Sequence, residues 1–305
     1  MKRLKIIIFI ALCTVFIKQI NAQQAPYYTQ YMFNDYLINP AVAGTFNYIQ
    51  IRANSRTQWI GMIDAPRTMS IAGYGPFKER DMGYGGYIYN DVTGPESRMS
   101  LGGTYAYNIS LSDEWRISGG LNIGIMQYKL DYTKMEIDDE IYDPVMATGV
   151  ESRVIPDASV GFYAWTSYYY VGISAHQLFG NNYSVHEEID SAQGFSRLTQ
   201  HIYLSGGASF ILNKDFAITP SALIKYTSSS RFQAEINARV TYQRMVWAGL
   251  TYRTGHAIAV MAGYNYDNKI YIGLAYDYSL TDISKYTKHG STIEVMIGYR
   301  FNSIK

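Results

Sequence analysis

Apolar and polar residues alternate with a period of two along most of this chain, most clearly close to the C-terminus. In residues 289–301 every second side chain is apolar or aromatic: Ile293, Val295, Ile297, Tyr299 and Phe301. The intervening positions include Glu294, Gly298 and Arg300. One apolar face and one mixed polar face suit a strand between lipid and a polar lumen. The pattern therefore predicts a transmembrane strand that closes a β-barrel.

The same alternation recurs from about residue 46 onward. It predicts about fourteen strands, an even number as bacterial single-chain barrels require, at 46–59, 66–77, 81–91, 97–111, 115–130, 157–165, 168–176, 199–212, 215–226, 231–242, 245–254, 257–266, 269–280 and 290–301. Charged residues make up only 17% of the chain, below the roughly 25% of soluble domains. The predicted fold is all-β, an antiparallel up-and-down transmembrane barrel of residues 46–305 with a short N-terminal periplasmic arm.

The predicted connections fall into two sets that alternate along the chain. The short set has polar or turn-forming residues and contains 78–80, 112–114, 166–167, 213–214, 243–244 and 267–268. The other set includes the longest segments, 131–156, 177–198 and 281–289. Outer-membrane barrels have short periplasmic turns and longer external loops. This alternation therefore favours the barrel and assigns the short set to the periplasm.

The first 22 residues have the pattern of a secretory signal peptide. Met1–Lys5 are basic, Ile6–Ile17 are apolar, and cleavage is expected near Ala22. The apolar run is too short to span a bilayer as a helix. Cleavage removes Cys13, the only cysteine, and lowers Lys+Arg from 26 to 22 against 25 Asp+Glu, a net charge of −3. We therefore expect a cell outer-membrane protein without disulfides, and no basic patch indicates nucleic-acid binding.

Chemistry typical of enzymes or metal sites is weakly represented. The five histidines show no metal-ligand spacing, so no metal or cofactor is expected. The acidic segment 138–143 is either a solvated loop or a loose cation site. Ser174 with His176, and His201 with Ser205, share strand faces, which leaves a barrel hydrolase as one hypothesis. Because no orienting acid is identifiable, a structural role in the lumen is favoured and the chain is predicted not to be an enzyme.

Charged side chains on the predicted lumen face form a candidate network. Its members are Arg52, Arg56, Glu235, Arg239, Arg253, Asp277, Glu294 and Arg300. Closure would place the first strand beside the last. The favoured interpretation is a ladder of ion pairs that fills or narrows the barrel, and the alternative is a selectivity ring. A third possibility is that these residues hold the mature N-terminus as a plug.

Specific motifs add a resemblance to a known family. Gln30–Gly44 reads QYMFNDYLINPAVAG, and Arg56–Gly61 reads RTQWIG before Pro66. This combination resembles the opening of the PorP/SprF family of type IX secretion outer-membrane proteins. Further segments extend the resemblance over essentially the whole mature chain: Tyr89–Pro95, Thr104–Leu111, Pro156–Ala164, Pro220–Tyr226, Trp247–Arg253 and Tyr276–Leu280. The chain departs from the family pattern at Asp35, where Pro is frequent, and in the four residues after Phe301.

The resemblance implies a non-enzymatic component of the type IX secretion and gliding-motility machinery. It would sit in outer-membrane lipid and dock periplasmic ring lipoproteins or exported adhesins that carry a C-terminal sorting domain. Residues 23–45 would form the periplasmic arm, with candidate contacts at Gln30, Tyr31, Phe33, Asn34, Asn39 and Pro40. An arm that merely packs into the barrel mouth is an equally open reading. A general solute channel is the alternative function.

Overall fold

The structure, a computed structural model, contains a single closed sheet. It describes residues 25–78, 80–135, 149–182, 198–227, 232–285, 287 and 290–303. The strands are β1 (Tyr48–Thr57), β2 (Arg67–Pro76), β3 (Met82–Thr93), β4 (Glu96–Ser110), β5 (Arg116–Asp131), β6 (Val150–Trp165), β7 (Tyr169–His176), β8 (His201–Ala208), β9 (Phe210–Ile211), β10 (Phe216–Thr227), β11 (Gln233–Tyr242), β12 (Val246–Arg253), β13 (Ala257–Tyr266), β14 (Ile270–Ser279) and β15 (Thr292–Ser303). Among the described residues, no helix is long and apolar enough to cross a membrane.

Strands that follow each other along the chain pair antiparallel, except for β8 and β9, and β1 pairs with β15 to close the ring. Because β8 and β9 both pair with β10, they form one interrupted strand, and the barrel has 14 strands. At the closing seam Arg56 lies opposite Glu294, and Ile51 lies opposite Tyr299. The predicted fourteen-stranded up-and-down barrel is confirmed.

Burial follows the predicted alternation. In β14 the side chains of Ile272, Leu274 and Tyr276 point outward and are exposed, whereas Tyr271 and Asp277 point inward and are buried. Outward-facing apolar side chains form the lipid-facing surface expected of a barrel in a membrane. The inward face carries buried charged groups, among them Arg52, Glu235 and Glu294, so the lumen is where chemistry specific to this protein has to be sought.

The connections give the barrel two distinct ends. At the short-turn end the six connections contain at most five residues, as at 243–245 and 267–269. Gln243, Arg244, Asp267 and Asn268 all have positive φ, as two-residue hairpin turns matched to strand twist require. The opposite end, which we call the long-loop end, carries the longest connections, together with short ones at 94–95 and 254–256. The acidic segment 138–143 lies outside the described residues.

One hairpin is longer than the sequence predicted. We expected a loop up to residue 156, but β6 begins at Val150, and Val150–Ile155 pair with Met126–Asp131. Val150 and Val154 point outward here, but Ser152 between them interrupts the apolar face and Pro156 follows. Backbone pairing with β5 maintains the extended conformation where this pattern is broken.

The N-terminal arm, residues 25–47, lies inside the barrel. It forms three short 3-10 turns, Tyr31–Phe33, Asp35–Leu37 and Pro40–Val42, and the Asn39 side chain caps the third by accepting a hydrogen bond from Ala41 at 2.9 Å. The expectation of a periplasmic arm over 23–45 is therefore corrected for its described part. The polar groups of the arm form hydrogen bonds with the lumen face. Outside the barrel, water would have to supply these hydrogen bonds. Residues 1–24, including the predicted signal peptide, are outside the described residues.

Candidate functional site

The arm crosses the lumen from end to end. Ala25 lines a cavity of about 760 Å³ together with His256 and Gly290 from the long-loop end. Thr45 lines a second cavity, of about 550 Å³, together with Arg244 from the short-turn end. The two cavities share no lining residue. The arm therefore separates a long-loop cavity from a short-turn cavity, and its N-terminal part is at the long-loop end.

The six residues proposed as periplasmic contacts all belong to this inserted segment. Gln30 and Asn34 are 0% and 1% exposed, and Tyr31, Asn39 and Pro40 are also buried. Phe33 is partly exposed and packs on Trp247, with the ring centroids 4.4 Å apart. In this position the buried five cannot touch a partner unless the arm leaves the barrel. The structure therefore agrees with the alternative in which the arm packs into the barrel.

The start of the arm is held by two carboxylates from the last strands. Glu294 accepts hydrogen bonds from the backbone nitrogens of Thr29 and Gln30 at 2.6 Å and 3.0 Å. The Thr29 hydroxyl donates to Asp277 at 2.9 Å. Hydrogen bonds to charged groups are stronger than neutral ones, so these contacts fix the register of the arm in the lumen.

The same carboxylates belong to a buried ion-pair network toward the long-loop end. Arg56 lies 2.9 Å from Asp277 and 3.3 Å from Glu294. Arg253 lies 2.9 Å from Glu235 and 3.1 Å from Asp277. The structure thus brings together five of the eight predicted lumen charges. Buried charges are tolerated when each is paired and hydrogen-bonded, which is the case for these five.

The network includes arm and barrel residues that sequence reasoning missed. The Tyr27 hydroxyl accepts a hydrogen bond from Arg253 Nε, and the centre of the Tyr27 ring lies 3.9 Å from the Arg253 guanidinium carbon and 3.2 Å from the Lys225 ammonium. Tyr27 and Lys225 could not be assigned to the network from the sequence, because each stands in an ordinary arm or strand sequence. The two side chains meet only when the arm is inside the barrel.

The other three predicted charges lie at the short-turn end and are not part of this network. Arg52 donates to the Gln50 side chain at 2.9 Å and lies 4.4 Å from the centre of the Tyr271 ring. Arg300 lies 4.1 Å from the same ring, and Arg239 lies 4.7 Å from the Phe33 ring. No described acidic side chain forms a salt bridge with any of the three.

The middle of the arm is fastened by hydrogen bonds and stacking. Asn34 donates to Asn54 at 2.9 Å. The Tyr36 hydroxyl donates to Thr104 at 2.7 Å, and the Tyr36 ring stacks on Tyr74 with centroids 4.6 Å apart. Each buried polar atom that is satisfied in this way avoids a desolvation penalty of about 1–3 kcal/mol.

Glycines on the lumen face let the arm backbone approach the barrel wall. A Cβ at Gly120 would lie 2.5 Å from the Ala41 nitrogen, and one at Gly83 would lie 2.2 Å from the Ala43 carbonyl oxygen. Both neighbours are backbone atoms that cannot move aside cheaply. These glycines on β5 and β3 form a groove for the third 3-10 turn.

Three members of the serine–histidine pairs, Ser174, His176 and His201, also hold the arm. Ser174 and His176 both donate to the Ile38 carbonyl, the histidine at 2.7 Å. His201 accepts from the Ala25 nitrogen at 3.3 Å and contacts the Gln177 side chain through its other ring nitrogen at 2.9 Å. No described carboxylate joins either pair as an orienting acid, and no described His, Asp and Glu side chains converge as a metal-binding group.

The fold and the filled lumen define an outer-membrane β-barrel protein with an internal plug. The family model for the type IX secretion system membrane protein PorP/SprF matches residues 20–299, and the chain belongs to this family. No curated protein sequence matches the chain significantly.

Solved structures similar to this chain are outer-membrane channels. The TodX deltaS2S3 mutant monoaromatic hydrocarbon channel aligns with a TM-score of 0.53 and 10% identity, over 88% of this chain and 94% of that one. The CymD monoaromatic hydrocarbon channel aligns with a TM-score of 0.52 and 11% identity, over 91% and 94%. At such identities the likeness shows the barrel fold alone.

Proposed function

We propose that this protein is a closed, non-enzymatic barrel that anchors type IX secretion and gliding components at the outer membrane. It would dock periplasmic ring lipoproteins or exported adhesins that carry a C-terminal sorting domain. The observation that carries the proposal is the arm, which fills the lumen from Tyr27 to Ala43 with buried contacts. A lumen filled in this way suits an anchor better than a conduit for solutes.

The orientation of the barrel determines which surface meets which partner. Outer-membrane barrels turn their short connections to the periplasm, which places the short-turn end there. The short-turn cavity and the exposed Phe46 and Asn47 would then face the ring, and the long loops would face exported cargo. Docking would thus use the two ends of the barrel, with the arm as the partition between them.

A general solute channel is the second candidate function. The two similar structures above are hydrocarbon channels by name, which is the observation in its favour. A channel would require the arm to leave its position between the two cavities. That movement would break the Glu294 contacts to Thr29 and Gln30 and leave Glu294 and Asp277 short of partners.

Two measurements on the same preparations separate the functions. Purified protein in planar bilayers is compared with a variant that lacks residues 24–44, and both are used for crosslinking in intact outer membranes followed by identification of attached proteins. The anchor predicts a silent full-length barrel that carries ring lipoproteins or sorting-domain cargo. The arm-deleted barrel should conduct if it remains heat-modifiable. Steady large conductance by the full-length protein, with no attached secretion component, would reject the anchor.

A further inference from the structure

We infer that the short-turn cavity is a binding site for a carboxylate-bearing polypeptide segment that enters from the short-turn end. The cavity is lined by residues of the turns at that end and by inward-facing side chains of β1, β11 and β15. The inference rests on the proposed docking function for its biological meaning, because it supplies the chemistry that docking at this end would use. The binding itself can be measured without any secretion component.

The first observation is that three arginines of the cavity have guanidinium nitrogens without a hydrogen-bond partner among the described residues. Arg52 is 2% exposed, lines the cavity and has no hydrogen-bond partner for Nη1 among the described residues. The Nε atoms of Arg239 and Arg300, which line the same cavity, are also buried without a partner. Aromatic rings lie against all three groups, but a ring face orients a cation without accepting its in-plane hydrogen bonds.

The two halves of the lumen differ in how their arginines are paired with carboxylates. In the ion-pair network, Arg56 and Arg253 are matched by three carboxylates. The short-turn cavity is lined by four arginines and a single acid, Asp35, which forms no salt bridge with them. Asp35 is close enough to Arg52 for an electrostatic interaction, so one carboxylate faces four arginines. Most of the positive charge of the short-turn cavity therefore lacks the paired counter-charge that Arg56 and Arg253 have.

Burying a charge without a partner is costly, and a ligand that brings the missing carboxylate recovers that cost. An arginine presents donors in a planar fork that matches the two oxygens of a carboxylate. Three guanidinium groups around one cavity therefore favour an acidic ligand over a neutral or cationic one. The positive lining would also attract an acidic segment toward the short-turn end before contact.

Two further unpartnered atoms point to a polypeptide rather than a simple anion. Asn237 Oδ1 and Trp247 Nε1 are buried, belong to lining residues and have no partner among the described residues. One is an acceptor and the other a donor, which together complement the N–H and C=O of a main chain. The aromatic rings of Tyr163 and Tyr170 also line the cavity. Its volume of about 550 Å³ is within the range of ligand pockets.

The test uses the purified full-length barrel in detergent and a hexapeptide of alternating alanine and glutamate with a free C-terminus. Its binding is measured by calorimetry against the same peptide with glutamine in place of glutamate and an amidated C-terminus. We expect the acidic peptide to bind, its affinity to fall as salt is raised, and the neutral peptide to bind at least about tenfold more weakly, since charged hydrogen bonds are lost.

Variants locate the site. The double variant Arg239→Gln with Arg300→Gln should lower affinity for the acidic peptide at least about tenfold. Arg239→Lys with Arg300→Lys should retain part of it, because charge remains while the fork is lost. Arg116→Gln is the matched control, since Arg116 is an exposed arginine at the same end that does not line the cavity. Heat-modifiability confirms that each variant folds.

Three results would overturn the inference. They are equal binding of the acidic and neutral peptides, an unchanged affinity in the folded Gln double variant, and saturable binding of inorganic phosphate that the acidic peptide does not displace. A failed crosslink to ring components with intact peptide binding would reject the docking function and leave the site standing. The two proposals therefore fail separately.

Discussion

Arg56 and Glu294 are direct register partners across the seam that closes the barrel, and their side chains form a salt bridge of 3.3 Å in the lumen. The same Glu294 carboxylate accepts two backbone hydrogen bonds from the arm. One carboxylate therefore links the closing seam of the sheet to the arm.

Glu294→Gln should loosen the arm while leaving the strand pairing of the seam intact. An amide keeps one acceptor for the arm but leaves Arg56 with less counter-charge, and unpairing a buried ion costs about 3–5 kcal/mol. We expect faster proteolysis of the arm and a lower unfolding midpoint. Glu96→Gln is the control, because the Glu96–Arg98 pair is partly exposed and such pairs contribute at most about 1 kcal/mol. Equal effects of the two substitutions would contradict the role assigned to Glu294.

Gly120→Ala should displace the third 3-10 turn of the arm. The new Cβ would lie 2.5 Å from the Ala41 nitrogen, and overpacking of this kind costs about 1–3 kcal/mol. Gly103→Ala is a matched control on the adjacent strand, because its Cβ would have nothing within 4 Å. Arm proteolysis and bilayer conductance are measured for both. A Gly120→Ala barrel with a protected arm and no conductance would show that the arm does not pack against this wall.

The strands could be predicted from the sequence because a strand between lipid and lumen has a period-two pattern that local side chains alone determine. Closure followed from the same pattern, since an even set of strands with one apolar face has to meet at its ends. The location of the arm could not be predicted in this way. Asn34, Asn39 and Pro40 are typical of a turn-rich arm, which suits a periplasmic contact and an arm packed into the barrel equally well, because such residues give no sign of where their partners lie.

The available signal for an inserted arm was the small residues on the lumen face. Gly83 and Gly120 occupy inward positions of their strands, where a glycine often marks the close approach of another backbone. The division of the lumen charges was also not predictable. Arg52 and Arg56 are four residues apart on one strand face, yet only Arg56 reaches carboxylates, since Glu294 and Asp277 lie toward the long-loop end.

The direction in which the arm crosses the lumen predicts the accessibility of engineered cysteines. If cleavage near Ala22 removes Cys13, the mature chain offers a background without thiols. Ala25→Cys lies at the long-loop cavity, and Asn47→Cys is exposed at the short-turn end. A membrane-impermeant maleimide added to intact cells should label Ala25→Cys and leave Asn47→Cys unmodified until the outer membrane is permeabilised. The reverse order of labelling would mean that the barrel is oriented the other way or that the arm is not inserted.

The pair Ser174 and His176 distinguishes an arm anchor from a hydrolytic site. Both side chains donate to the Ile38 carbonyl, so the double substitution to alanine removes two hydrogen bonds from one buried acceptor. Leaving such a group unsatisfied costs about 1–3 kcal/mol, and we expect a faster cleavage of the arm by added protease. Ser97→Ala is a control, because that hydroxyl donates to Asn90 in an exposed position. Lipid turnover in the outer membrane should be unchanged, since the histidine has no orienting acid among the described residues. A loss of lipid turnover with a fully protected arm would instead assign the pair to catalysis.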